Sequence, residues 1–266
     1  FLTMSYVGEY LREERYLAPC RDSAAWIMAH FPRTQEGGFQ HMTSDTLNDQ
    51  ELWDDTLFMT VLFLYRAGVA LDRRDWREEA KYQFLLHIKY LHSQKTGLWY
   101  HGWCFIGRHH FGEAYWARGN SWFTCGAVDF VEWLLQDGDT NECVSRFILT
   151  AWKEQCLKLV ELQDKGTGLW HTLLDYDDSY LETSASAAIA YGLLKGVRLG
   201  LLDGCEEAAQ KALAGVIAQV GEDGIVGGVS YGTPMGHTKD FYRTIPIEAT
   251  AYGQGLTFLM LTEVMG

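Results

Sequence analysis

Two adjacent carboxyls, Asp54 and Asp55, follow Trp53 and head the run TLFMTVLFLYRA over 56–67. An Asp at a helix start accepts backbone N–H bonds and complements the helix dipole, which is the reading that suits Asp54. Asp55 stands nearer the apolar run. Lost solvent there would raise its proton affinity toward that of a general acid, while the helix end pulls the other way. A second phrase, Trp116-Ala117-Arg118-Gly119-Asn120-Ser121-Trp122, places Arg between two tryptophans. Arg118 offers a planar fork that matches a carboxylate, and Trp116 a flat face for a sugar ring. Asn120 reads as a helix cap and Trp122 as core. His41, His101 and His171 each end a similar phrase, and their recurrence points to one structural role shared by all three. No His/Cys/Asp group has metal-ligand spacing and no glycine-rich loop fits a phosphate, so neither metal nor cofactor is expected.

The elements that must position these residues come from an internal repeat. Gly38-Phe39-Gln40-His41, Gly97-Leu98-Trp99-Tyr100-His101 and Gly168-Leu169-Trp170-His171 recur, with a degenerate copy at Gly224-Ile225-Val226-Gly227. From each first glycine the spacings are 59, 71 and 56 residues. A nearly all-apolar helix follows each copy, over 56–67, 121–135, 184–199 and 249–262; helices without a polar face are buried. The intervening segments 75–92, 143–163 and 205–220 are amphipathic. In the first, Trp76, Ala80, Phe84, Ile88 and Leu91 share a stripe, with Arg77, Glu78, Lys81 and Lys89 off it. In the last, Cys205, Ala209, Leu213, Val216 and Val220 face inward. Buried helices alternating with amphipathic ones describe an all-α, double-ring (α/α)6 barrel. The starts of its inner helices gather at one rim, where a pocket belongs. Strand signals are confined to the Gly-Leu-Trp phrases.

A net charge of −13 disfavours nucleic acid and anionic membrane surfaces, which need clustered Lys and Arg. It leaves room for a small anion bound through local donors. No apolar stretch is long enough to span a bilayer. The 10 tryptophans suit a large core or a sugar cleft, with the core favoured. Cys20, Cys104, Cys125, Cys143, Cys156 and Cys205 show no paired spacing, which fits reduced thiols and a cytoplasmic setting.

Along nearly its whole length the chain resembles the unsaturated glucuronyl and rhamnogalacturonyl hydrolases, glycoside hydrolase families 88 and 105, the latter more closely. The matching phrases are Pro32-Arg33-Thr34, Gly37-Gly38-Phe39-Gln40-His41, Trp53-Asp54-Asp55-Thr56-Leu57-Phe58-Met59 and Gln83-Phe84-Leu85-Leu86-His87-Ile88. They continue with Thr96-Gly97-Leu98-Trp99-Tyr100-His101-Gly102-Trp103, Trp116-Ala117-Arg118-Gly119-Asn120-Ser121-Trp122 and Glu182-Thr183-Ser184-Ala185-Ser186-Ala187. The resemblance implies an (α/α)6 barrel and release of a 4,5-unsaturated uronic acid from lyase-generated oligosaccharides, as in pectin and rhamnogalacturonan breakdown. It further implies that Asp55 protonates C4 and then helps water add at C5. Trp53 and Trp116 become sugar-stacking walls, and His41, His101 and Arg118 polar contacts to the substrate. By the same resemblance residues 1–266 form one catalytic domain, N-terminally incomplete by one or two helical elements. The family's second, upstream aspartate has no match, and Asp22, Asp45 and Asp49 do not replace it.

Two alternatives belong beside this one. A sugar epimerase of the same toroid class would use His41, His101 and His171 as a proton-transfer set. A non-catalytic helical scaffold would bind sugar without turnover. The sequence carries no signal for the aglycone or the oligomeric state.

Overall fold

The computed structural model describes residues 1–44, 46–137 and 142–265, so Asp45 lies outside the described residues. Among these, two layers of helices alternate along the chain. The inner layer holds α1 (Leu2–Leu11), a π-helical turn Leu57–Val61 running into α3 (Leu62–Ala70), α5 (Ala117–Gln136), α7 (Thr183–Arg198) and α10 (Ala251–Met265). The outer layer holds α2 (Glu14–His30), α4 (Arg74–Leu91), α6 (Glu142–Leu162) and α8 (Glu206–Ile217). Successive inner helices pack side by side, α1 on α3, the π turn on α5, α5 on α7 and α7 on α10, with α2, α4, α6 and α8 backing α1, α3, α5 and α7. This is the expected double-ring helical architecture.

The composition explains the layers. α5 and α7 have no polar face, and nearly every residue from Ala117 to Val128 and from Thr183 to Leu193 is buried. The outer helices bury one stripe, including Trp76, Ala80, Phe84, Ile88 and Leu91 on α4. Trp76, Trp99, Trp152 and Trp170 are sealed inside the core, each worth about 1.5–3 kcal/mol by analogy with other large apolar side chains. Two of these indoles also tie layers together: Trp152 Nε1 donates to Thr124 O (2.7 Å) and Trp170 Nε1 to Leu159 O (2.7 Å).

Several expectations change. Lys81, placed off the α4 stripe, is buried, with its ammonium on Glu78 Oε1 at 2.9 Å. The inner helix after Asp55 opens as a π turn, and its Met59 is exposed although the run is apolar. α5 starts four residues earlier than the 121–135 segment, so Arg118, Gly119 and Asn120 lie inside its first turns rather than before it. Asn120 is therefore no cap. Its side chain accepts from Trp99 N (2.8 Å) and donates to Trp99 O and Trp116 O (2.8 and 2.9 Å), joining the second repeat phrase to α5. Helices α1, α2 and the short α9 (Lys239–Arg243) add to the segments read from periodicity.

The repeat itself is real, with its first copy shifted by one residue. Gly37, Gly97, Gly168 and Gly224 all take φ between +76° and +80°, a left-handed turn that glycine adopts without strain. Thr34 N→Gly38 O, Ser93 N→Leu98 O, Asp164 N→Leu169 O and Gly221 N→Ile225 O close the four turns in the same way. In this register His41 and His101 are each four residues beyond the turn glycine, and the third copy has Thr172 there. His171 is out of register, and its side chain turns to Ser179 O. The three histidines thus do not share one role.

All six cysteines are free thiols, five of them buried and Cys143 exposed. Asp22 and Asp49 are exposed. Among the described residues no helix is long and apolar enough to cross a membrane.

Candidate active site

A short antiparallel pair carries Asp55 to His101. Strand β1 (Glu51–Trp53) runs against β2 (Gly102–Cys104), with Trp53 opposite Gly102. The ladder ends where Asp54 N donates to His101 O at 3.1 Å. Three residues later the chain enters the π turn, a form often found at functional sites.

Asp55 projects into a ring of polar and aromatic groups. Trp122 Nε1 donates to its Oδ1 at 3.1 Å. His101 Nε2 lies 3.3 Å from its Oδ2, an ion-pair distance whose alignment falls short of a hydrogen bond. On its other nitrogen, His101 Nδ1 is 2.6 Å from the Tyr242 hydroxyl. That hydroxyl already accepts from Gly236 N at 3.1 Å. The Tyr242 hydroxyl thus ties the His101 ring to the backbone at Gly236. His41 stacks on Trp53 with centroids 4.2 Å apart and planes 8° apart, and its Nδ1 is 3.0 Å from Thr56 Oγ1. Trp116 lies 4.4 Å from the His101 ring. Trp53, Trp116 and His101 are buried, while the Asp55 side chain keeps 16% of its surface open. The site is thus reached at the Asp55 side chain and the partly buried His41, while Asp55 Oδ2 itself is covered.

The electrostatics separate the two aspartates. Burial works to raise the proton affinity of Asp55, but the neighbouring imidazoles of His101 and His41 outweigh it and hold this carboxyl below the ordinary range. Asp54 moves the opposite way, because full burial and the neighbouring Asp55 charge both disfavour its ionised form. Burial pushes His41 below the usual imidazole range, against the pull of Asp55. Asp54 does not cap: it is wholly buried and neither side-chain oxygen receives a donor. Asp54, Asp55 and His101 bring ligand-type atoms within 4.8 Å of one another. Two adjacent carboxyls and one imidazole are a thin donor set for a cation.

Arg118 is placed differently. Its Nη1 donates to Ser230 Oγ (2.6 Å) and Ser230 O (3.0 Å) and pairs with Glu182 Oε1 (3.4 Å); its Nη2 donates to Tyr231 O (3.0 Å) and Thr233 Oγ1 (2.9 Å). The fork is occupied by the chain's own groups, and it anchors residues 230–233 beside the rim. Glu182 caps α7 through Ala185 N at 2.6 Å and also accepts from Ser230 N at 2.9 Å. The structure therefore gathers Asp55, His101, His41, Trp53 and Trp116, and sets Arg118 behind them.

Two members of the site were not read from sequence. Trp122 reads as core in the sequence, since nothing in its spacing reveals an N–H aimed at Asp55. Tyr242 sits on a five-residue helix, 141 residues from His101, where no periodicity marks it.

The family model described as Glycosyl Hydrolase Family 88 matches residues 1–266. The unsaturated rhamnogalacturonyl hydrolase YesR of Bacillus subtilis is 32% identical over 274 residues, covering 99% of this chain and 74% of that protein. A solved structure from Salmonella enterica, described as a possible member of the GH105 family, is 45% identical with a TM-score of 0.95, over 99% of this chain and 69% of that one. The unsaturated glucuronyl hydrolase of Bacillus sp. GL1, at 19% identity and TM-score 0.72 over 97% of this chain and 71% of its own, shares the fold. The whole-length match sets the epimerase alternative aside. The chain belongs to glycosyl hydrolase family 88.

Proposed function

We propose that this protein releases a 4,5-unsaturated uronic acid from the end of a lyase-generated oligosaccharide by hydrating the C4=C5 bond, with Asp55 as general acid and base. The observation that carries the proposal is the partly open Asp55 carboxyl held between the indole N–H of Trp122 and the imidazole of His101. The likeness to YesR supports a rhamnogalacturonan-type substrate, and pectin breakdown follows as its setting.

In this reading Asp55 gives a proton to C4, leaving positive charge shared between C5 and the ring oxygen. Water adds at C5 while Asp55 takes back a proton, so one water is consumed and the carboxyl is restored. The hemiketal opens to a ketone, and the hemiacetal left at C1 releases the aglycone. His101 faces Asp55 with its Nε2 and stabilises the carboxylate after proton transfer. A uronate arriving nearby adds negative charge, which raises the proton affinity of Asp55 and favours its acid form. Trp53 and Trp116 are too buried to stack on a sugar and instead back the rings of His41 and His101; Arg118 acts through the 230–233 segment it anchors. No cofactor or metal enters the scheme.

Incubation with a small panel of unsaturated disaccharides, made by lyases of different specificity, tests this directly. Loss of the double-bond absorbance together with release of the aglycone is the expected result, fastest with rhamnose as aglycone. Tight binding without any turnover would instead favour a sugar-binding scaffold.

A further inference from the structure

The scheme above leaves Asp54 without a task, yet its surroundings are specific. It is wholly buried, and neither carboxyl oxygen has a donor. Its backbone is fixed at both ends: the N–H on His101 O at 3.1 Å, and the carbonyl accepting from Leu57 N at 3.2 Å. α5 presses on it from the far side. A β-carbon on Gly119 would overlap Asp54 Oδ2, so only glycine lets the helix approach this closely, and no water fits between.

The groups around it leave one arrangement open. Asp55 and His101 bring polar atoms within 4.8 Å. Tyr242 approaches from α9 and feels the charge of both aspartates. α5 offers the backbone at Gly119 and the Trp122 indole, which is spent on Asp55; the charge of Arg118 is spent on Glu182 and Ser230. His41 faces Asp55 from the first repeat copy. An ionised Asp54 would be a carboxylate with no well-aligned donor beyond the neighbouring backbone N–H groups and no solvent, which is penalised. A protonated Asp54 becomes a donor instead, and an oxygen of Asp55, within 4.8 Å, is the neighbouring acceptor.

We propose that Asp54 is a neutral carboxylic acid whose proton is shared with Asp55, so that the two form a dyad carrying one proton through neutral pH, with Asp54 as its positioning member. This rests on Asp55 being the acid of the proposed reaction. It also answers a difficulty in that reaction. Alone, Asp55 beside His101 would surrender its proton well below neutrality and have nothing to give C4. Removing the last proton from a dyad places two charges side by side, one of them fully buried, so the pair keeps that proton to higher pH. The proton passes from the dyad to C4 through Asp55, and the water that adds at C5 returns one.

Two readouts test the dyad. In infrared spectra at pH 7 a protonated-carboxylic-acid carbonyl band is expected in the unmodified protein, lost in Asp54→Asn. It should persist in Asp129→Asn, which removes another buried aspartate of raised proton affinity. In kinetics on an unsaturated disaccharide, Asp54→Asn is expected to move the alkaline limb of kcat down by about one pH unit or more, with kcat at pH 7 falling about tenfold and KM little changed. Asn has the shape and neutrality of the protonated acid, so a space-filling Asp54 predicts an unchanged pH profile. An unchanged profile, or no acid band at pH 7, overturns the dyad. Should Asp54→Asn fail to fold, the band in Asp129→Asn still decides. Should the unmodified protein turn over no unsaturated disaccharide, the proposed function fails, and the infrared measurement alone settles the state of Asp54.

Discussion

Three inner helices begin with one backbone device, and the three starts differ in what they hold. Asp54 N donates to His101 O, Ala117 N to Thr172 O, and Thr183 N to Gly228 O, at 3.1, 2.9 and 2.9 Å. The residue after each donor is Asp55, Arg118 and Ser184 respectively; the residue facing it across the bond is His101, Thr172 and Gly228. The first start pairs a carboxyl with an imidazole and leaves it partly open. The second and third close on each other, with Arg118 held by Glu182, Ser184 and Ser230. A repeated backbone therefore supplies positions, and side chains decide whether a position becomes chemistry or scaffold.

That contrast can be broken at its strong points first. Asp55→Asn should lower kcat on unsaturated disaccharides by about 10²–10⁴-fold, the range of a lost general acid, with an unchanged melting temperature. If the first start were scaffold too, the variant would lose stability and keep its turnover per folded molecule. Arg118→Ala should do the reverse. It leaves Glu182 buried without its cation, and equilibrium unfolding should read a loss of about 3–5 kcal/mol. Acid exposes a further cost outside both starts. Burial pushes His87 on α4 down to about 4, so the fold prefers it neutral while the unfolded chain binds a proton from about pH 6.5. Stability is then full above the unfolded value and falls as pH drops toward the folded one, by about 3 kcal/mol in denaturant titrations between pH 7 and pH 4. Tyr242→Phe should cost about 1–2 kcal/mol by leaving Gly236 N unpaired. It should also lower kcat more than it changes KM, since His101 loses the hydroxyl that holds its ring beside Asp55. The smallest effect belongs to His171→Asn, in the copy whose histidine is out of register: within about 0.5 kcal/mol of the parent, at unchanged kcat.

How much of this was legible follows from which signals are local. The alternation of apolar and amphipathic helices lies in the sequence itself, and it led to the two layers. Asp55 stood out because a carboxyl at the head of an apolar helix conflicts with its neighbours, and conflicts of that kind mark sites. The repeat gave His41 and His101 their place, although its first copy starts at Gly37, a difference visible only in the left-handed turn. Partners joined by folding rather than by spacing were not legible. Tyr242 reaches His101 from a five-residue helix in a loop, and Trp122 looked like any core tryptophan until its indole N–H was seen on Asp55. Asp54 read as a cap because Asp at a helix start usually is one; the approach of α5 at Gly119, which seals it, belongs to the tertiary structure alone.

The central claim is that Asp55 adds a proton to a sugar double bond. The most direct test follows the double-bond absorbance of one unsaturated disaccharide with equal amounts of the folded parent and Asp55→Asn. The account predicts that the parent bleaches the absorbance while releasing the aglycone, and that the variant leaves both unchanged. Turnover by Asp55→Asn at the parent's rate would contradict it.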